Sequence, residues 1–195
     1  RQLLEDASID TVSVATCDHW HTPIALAAIL AGKHVYVEKP ACCTIEEGQA
    51  MIAAANRHNS VVQVGSQGRS QRECYLAHRY IANGMIGRVH TVECWHYESP
   101  SDNNPEADRE PPPELDWDFW QGQTPSVPYC PQRCNYDFRW WLEYSGGQVT
   151  DWGVHHTDIA MWALGLENTG PHEIEGVGDY PNVPNGYNAA VLQND

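Results

Sequence analysis

The chain has 195 residues, 42% of them apolar, a composition that sustains a folded core and excludes wholesale disorder. Asp and Glu outnumber Lys and Arg by 26 to 11, and a net charge of −15 repels phosphate backbones and anionic lipid, so neither nucleic acid nor membrane is expected as a partner. The longest apolar run, residues 23–32, is too short to span a bilayer, and seven cysteines without framework spacing read as mostly free thiols.

In chain order, residues 11–15 (TVSVA) form a β-rich run followed by a polar cluster, residues 16–21 (TCDHWH). Thr22-Pro23 opens a helix with Pro at its first position and Gly32 as its stop. Residues 34–37 (HVYV) are a second strand. Thr44 and Glu47 have the spacing of a capping box, which starts a helix running to about His58. Residues 61–64 (VVQV) are a third strand. Alternating strands and helices with short connections predict parallel βαβ units. Beyond Arg69 a helix over residues 75–83 ends at Gly84, and the alternating stretch 88–97 reads as a strand. Residues 99–135 are rich in Pro, Asp and Asn, with an aromatic block at 115–120 (LDWDFW) that predicts an ordered, packed loop. Gly146-Gly147 leads into a helix from about Thr150 to Leu164, stopped by Gly165, and a last strand covers residues 173–180.

Three clusters carry candidate chemistry. Glu38-Lys39-Pro40 follows a strand of a parallel sheet, where ligands bind, and Pro40 holds Lys39 in extended backbone so that its ammonium is aimed. A surface lysine at a turn is the alternative. Asp151, His155 and Asp158 are spaced by four and seven residues, which puts them on one helix face with the imidazole within reach of both carboxylates. That is how a general base is prepared; exposed acids suited to the helix dipole, or a buried structural histidine, explain the same spacing. Cys17, His19 and His21 alternate as zinc ligands can, but nothing elsewhere completes a four-ligand set, and no metal is expected.

Taken together, Thr16 to His21, Glu38-Lys39-Pro40, Val64-Gly65 through Arg69, and Gly146 to Asp158 resemble, in order, the motifs of the Gfo/Idh/MocA family of nicotinamide-dependent sugar oxidoreductases. Residues 115–120 and 135–141 (NYDFRWW) further resemble a bacterial branch abundant in planctomycete-like genomes. The resemblance implies an α/β protein. Residues 1–68 would be the C-terminal half of a Rossmann domain (doubly wound, parallel sheet). Residues 69–195 would belong to an α/β substrate and oligomerisation domain with a large open, mainly antiparallel sheet. It implies NAD or NADP as cofactor and a sugar, cyclitol or sugar derivative as substrate. Lys39, Asp151 and His155 would be catalytic, with His155 the general base and Asp151 its orienting partner or a ligand of sugar hydroxyls. Asp158 would join them in binding substrate. Thr16, Asp18, His21, Glu38, Lys39, Pro40, Gln67 and Arg139 would line the cofactor. Cys17 departs from the pattern, standing where many relatives have Pro. The Gly-rich strand–turn–helix of such a cofactor site, with its acidic residue about 20 positions on, is expected before Arg1. The second sheet is expected to continue past Asp195, so the chain reads as a fragment that alone binds NAD poorly. Family members often form dimers or tetramers, so a homo-oligomer is expected, while localisation stays open between cytoplasm and a periplasmic or secreted site.

Three other activities fit parts of this pattern. Some relatives hydrolyse glycosides by a redox-neutral route through tightly held NAD; that branch replaces the lysine, so Lys39 favours the dehydrogenase. A metal-dependent sugar isomerase or hydrolase would use Asp151, His155, His156 and Asp158 as ligands. A non-catalytic sugar-binding protein would keep the fold but has no need of an aligned base.

Overall fold

The computed structural model describes residues 2–101 and 104–194. A short helix α1 (Gln2–Glu5) precedes strands β1 (Thr11–Val14), β2 (His34–Glu38) and β3 (Val62–Gly65). These strands pair in parallel in the order β1-β2-β3, so each must be linked to the next by a crossover. The crossovers are α2 (His21–Leu30) and α3 (Ile45–His58). Val12, Val14, Val35 and Val37 point into the core, where Ala25, Ala28 and Ile29 of α2 and Met51 of α3 meet them. Each buried Val or Ile contributes about 1.5–3 kcal/mol, and the alanines of α2 let that helix lie close to the sheet.

Local chemistry sets the helix ends. The Thr44 hydroxyl accepts from Glu47 N, while Glu47 Oε2 accepts from Thr44 N and Cys43 N, completing the expected capping box. Asn59 closes α3 in the left-handed conformation at φ 52°. Helix α2 begins at His21, earlier than expected from Pro23. A 3-10 turn over Asp18–Trp20 already brings Trp20 to helical backbone, and Pro23 falls in the first turn, where no N–H partner is needed.

The second half is less regular. A 3-10 turn (Gln67–Ser70) leads to α4 (Arg72–Ala82), which ends before Gly84 at φ +72°. The expected strand over 88–97 is not formed: among the described residues the segment joins neither sheet. Trp95 and Tyr97 within it are exposed. The aromatic block is ordered as expected, with α5 (Trp117–Gln121) capped by the Asp116 carboxylate. The chain then passes through 3-10 turns Pro131–Arg133 and Asn135–Trp140. A π-helical turn (Val149–Gly153) runs directly into α6 (Val154–Ala163). Strand β4 (Val177–Asp179) is shorter than expected and pairs antiparallel with β5 (Leu192–Asn194). That two-stranded sheet stands, among the described residues, where a large open sheet was expected.

Cys130, Trp140, Trp141, Tyr144 and Tyr187 form a second core, joined by Trp117 and Trp120, which stack at 4.9 Å. Indole N–H groups are satisfied by carbonyls: Trp117 by Val127, Trp141 by Gln132, Trp20 by Trp120. All seven cysteines are free thiols. No helix among the described residues is long and apolar enough to cross a membrane.

Candidate active site

The register of the parallel sheet brings Val14, Val37 and Val64 level, so the loops after β1, β2 and β3 leave one edge together. From β2, Lys39 projects away from the sheet with its side chain only 17% exposed. Its Nζ donates to Asp151 Oδ1 at 2.5 Å and to the Asp151 carbonyl at 2.9 Å. The second carboxylate oxygen of Asp151 accepts from Arg139 Nη1. Arg139 is itself held by Nε donation to Tyr136 O, by the Tyr136 ring 3.5 Å from its guanidinium carbon, and by the Trp140 ring at 4.7 Å. One carboxylate, nearly buried, therefore receives one cation on each oxygen, from segments 112 and 12 residues away.

The expectation that Asp151 and Asp158 both hold His155 is not met. In the π turn the backbone bonds run from i to i+5, so a four-residue spacing across it no longer stacks Asp151 on His155 as an α-helix would. Asp151 turns to Lys39 and Arg139. Asp158 gives both its oxygens to Arg69, at 2.8 and 2.7 Å, and Arg69 reaches on to Glu167 at 3.4 Å. His155 is left with no hydrogen-bond partner among the described residues, beside Trp152. Partial burial pushes its pKa down, the Lys39 ammonium pushes the same way, and the Asp151 carboxylate opposes them. A histidine so placed is neutral and able to accept a proton. Lys39, Gln67, Tyr136, Asp151, Trp152 and His155 line a cavity of about 460 Å³ together with Arg139.

The remaining expected residues divide into two groups. Glu38 and Gln67 are available: the Glu38 carboxylate has no hydrogen-bond partner among the described residues, and Gln67 faces the cavity. Thr16 is exposed, and its hydroxyl donates to the neighbouring Cys17 carbonyl. Asp18, His21 and Pro40 have structural contacts instead. His21 is buried, its Nδ1 2.7 Å from Pro40 O and its Nε2 3.0 Å from Thr16 O, so the ring ties the loop after β1 to the loop after β2. Asp18 is buried and accepts from the Ser145 hydroxyl at 2.5 Å. Burial pushes its carboxyl up, and the Ser145 bond partly opposes this. His19 Nε2 lies 2.8 Å from the Trp120 carbonyl. His19 and His21 thus face backbone carbonyls, Cys17 is a free thiol, and among the described residues no group of three or more His, Cys, Asp or Glu could hold a metal ion.

Ser145, Trp152 and the Asp158-binding role of Arg69 were not foreseen. Ser145 immediately precedes Gly146-Gly147, and a hydroxyl beside a sharp turn was the only hint; its partner lies 127 residues away. Gly147 makes that turn at φ +68°, where an added Cβ would sit 3.0 Å from Ala189 Cβ and 3.1 Å from Ser99 Oγ.

Comparison with known proteins agrees with this layout. A profile of an oxidoreductase family, NAD-binding Rossmann fold, matches residues 1–66, and the profile of the same family's C-terminal α/β domain matches residues 85–183. Levoglucosan dehydrogenase of Pseudarthrobacter phenanthrenivorans is 42% identical over 89 residues, 46% of this chain and 23% of that protein. Inositol 2-dehydrogenase 2 of Saccharopolyspora erythraea is 29% identical over 166 residues, 85% of this chain and 38% of that protein. The solved structure of levoglucosan dehydrogenase in complex with NADH and levoglucosan superposes with a TM-score of 0.56 at 28% identity, over 84% of this chain and 37% of that one. The chain spans well under half the length of the curated relatives it matches. With both profiles matched in order, the chain belongs to the Gfo/Idh/MocA oxidoreductase family.

Proposed function

We propose that the complete protein is an NAD- or NADP-dependent dehydrogenase that oxidises a CH–OH group of a sugar, cyclitol or sugar derivative. The observation that carries this reading is the contact of Lys39 Nζ with Asp151 across 112 residues, in a cavity where His155 keeps both ring nitrogens open. The division proposed is near residue 68, with the cofactor side before it and the substrate side after it.

The sheet edge fits the nicotinamide end of such a cofactor. The unpaired Glu38 carboxylate crosses Gly65, where an added Cβ would lie 2.5 Å from Oε2; glycine leaves the room this side chain occupies. Glu38, Thr16, Lys39 and Gln67 are the residues proposed to hold the cofactor there. When bound, the nicotinamide supplies the hydride acceptor. The chain's own residues do the rest. Lys39 donates a hydrogen bond to the reacting hydroxyl oxygen, and a His155 ring nitrogen takes its proton. Asp151 fixes the ammonium of Lys39, and Asp158 acts by holding Arg69. The exposed rings of Tyr136 and Trp152 flank the cavity and suit the apolar face of a sugar ring. This supports a carbohydrate substrate; the other tryptophans of the loop are engaged in packing.

The test is the appearance of reduced nicotinamide when the complete protein is given NAD or NADP with levoglucosan, myo-inositol and related polyols. Sugar consumption without net reduction would replace this reading with the redox-neutral one.

A further inference from the structure

Arg139 occupies an unusual place in this cavity. Its side chain is only 14% exposed, its guanidinium lies against the rings of Tyr136 and Trp140, and its Nε donates to a backbone carbonyl, so little freedom is left to it. Such a group is a fixed fork of donors, unlike a lysine. What it meets is Asp151 Oδ2, the one oxygen Lys39 leaves open. A carboxylate free to rotate would draw the flexible Lys39 ammonium with it and cancel its charge. A carboxylate gripped on its far oxygen by a second, immobile cation keeps Oδ1 in one place and shares its charge between two partners.

We propose that Arg139 is a positioning residue of this site and not a cofactor contact: it locks the Asp151 carboxylate so that Lys39 stays aimed and only partly neutralised. This rests on the function proposed above. The consequence lies at the substrate hydroxyl. As the O–H bond breaks, its proton passes to His155 and the electron pair stays on oxygen as developing alkoxide, which a partly neutralised ammonium stabilises better than a fully paired one. The groups that face His155 are Lys39 and Glu38 from the end of β2, and Asp151 and His156 on its own helix, with Arg139 reaching it through Asp151. Removing one positive charge from this set favours the protonated imidazole, so the base is lost at a higher pH than before.

The test uses the complete protein with the polyol it oxidises best among levoglucosan, myo-inositol and D-glucose, comparing the parent, Arg139→Met, Arg139→Lys and Lys39→Ala. Arg139→Met is expected to lower kcat about ten- to a hundredfold and to move the acid limb of kcat/KM up by roughly half a unit to one unit. Affinity for NADH, read by its fluorescence, is expected to change less than about twofold. Arg139→Lys, which keeps the charge but not the fork, is expected to lose kcat while holding its acid limb near the parent's, and it stands in if the Met variant does not fold. Tenfold weaker NADH binding with an unmoved pH profile would make Arg139 a cofactor contact and overturn the proposal. Parent-like kcat and profile in both Arg139 variants, with Lys39→Ala inactive, would overturn it while leaving the dehydrogenase standing. An active Lys39→Ala would remove the underlying reading instead.

Discussion

Ser145→Ala tests how the two halves of the site are joined. In the parent the Ser145 hydroxyl donates to the Asp18 carboxylate, and both residues are 8% exposed. The variant leaves a buried charged acceptor without its donor. Hydrogen bonds to charged groups contribute about 1.5–3 kcal/mol, so the unfolding equilibrium should shift by about one to two decades where Asp18 is ionised. The loss should also depend on pH. Burial already holds the Asp18 pKa above its unfolded value, so the folded state binds this proton more tightly and the ionised carboxylate is a burden above the folded pKa. Taking away Ser145 raises that pKa further. The penalty is therefore largest where Asp18 is ionised and shrinks as pH falls and Asp18 protonates. Urea unfolding of the complete protein at pH 7.5 and 5.0, followed by tryptophan fluorescence, reads both quantities. Asp18→Asn removes the charge, so adding Ser145→Ala to it should cost only a neutral bond, about 0.5–1.5 kcal/mol. A Ser145→Ala loss below about 0.5 kcal/mol, or one equal in the parent and Asp18→Asn backgrounds, would refute a charge-assisted joint.

Other consequences follow from single contacts. Thr44→Ala should cost about 1 kcal/mol by removing the α3 cap and leave kcat unchanged, since the capping box is not among the groups lining the cavity; urea unfolding and a rate assay check both. Gly147→Ala should cost about 1–3 kcal/mol, because φ +68° is strained for alanine and its Cβ would press on Ala189 and Ser99; a Tm equal to the parent's would contradict this. Asp158→Asn should lower stability by only about 0.5–1 kcal/mol, as its partner Arg69 is partly exposed, and should leave KM within about twofold; a tenfold rise in KM would place Asp158 on the substrate instead. Because His155 has a lowered pKa and acts in its neutral form, the acid limb of kcat/KM should lie below the ordinary histidine value; a limb above it would argue against His155 as the base.

Much of the first half was legible from the sequence because its signals are local. Apolar strand runs, the Thr44–Glu47 cap and the stop at Gly32 each depend on a few neighbouring residues, and each appears in the fold. Residues 88–97 alternate as a strand should, yet strand formation needs a partner, which alternation cannot supply. The reading of Asp151, His155 and Asp158 as one face assumed an unbroken α-helix; the π turn displaces the first of them, and non-local cations decide where both carboxylates point. Arg139 shows the same limit. It was expected to line the cofactor by resemblance, and no local pattern indicated that two aromatic rings would fix it against Asp151. His21 likewise stands in the expected motif but is buried with both ring nitrogens facing backbone carbonyls.

The most direct test of the central claim is absorbance at the reduced-nicotinamide band for the complete protein with NAD or NADP and a panel of sugars and cyclitols, with Lys39→Ala and His155→Ala alongside. Reduction by the parent, lost in both variants while each still binds NADH, is the predicted result. Cofactor reduction that survives either substitution, or no reduction with any polyol despite cofactor binding, would contradict the account.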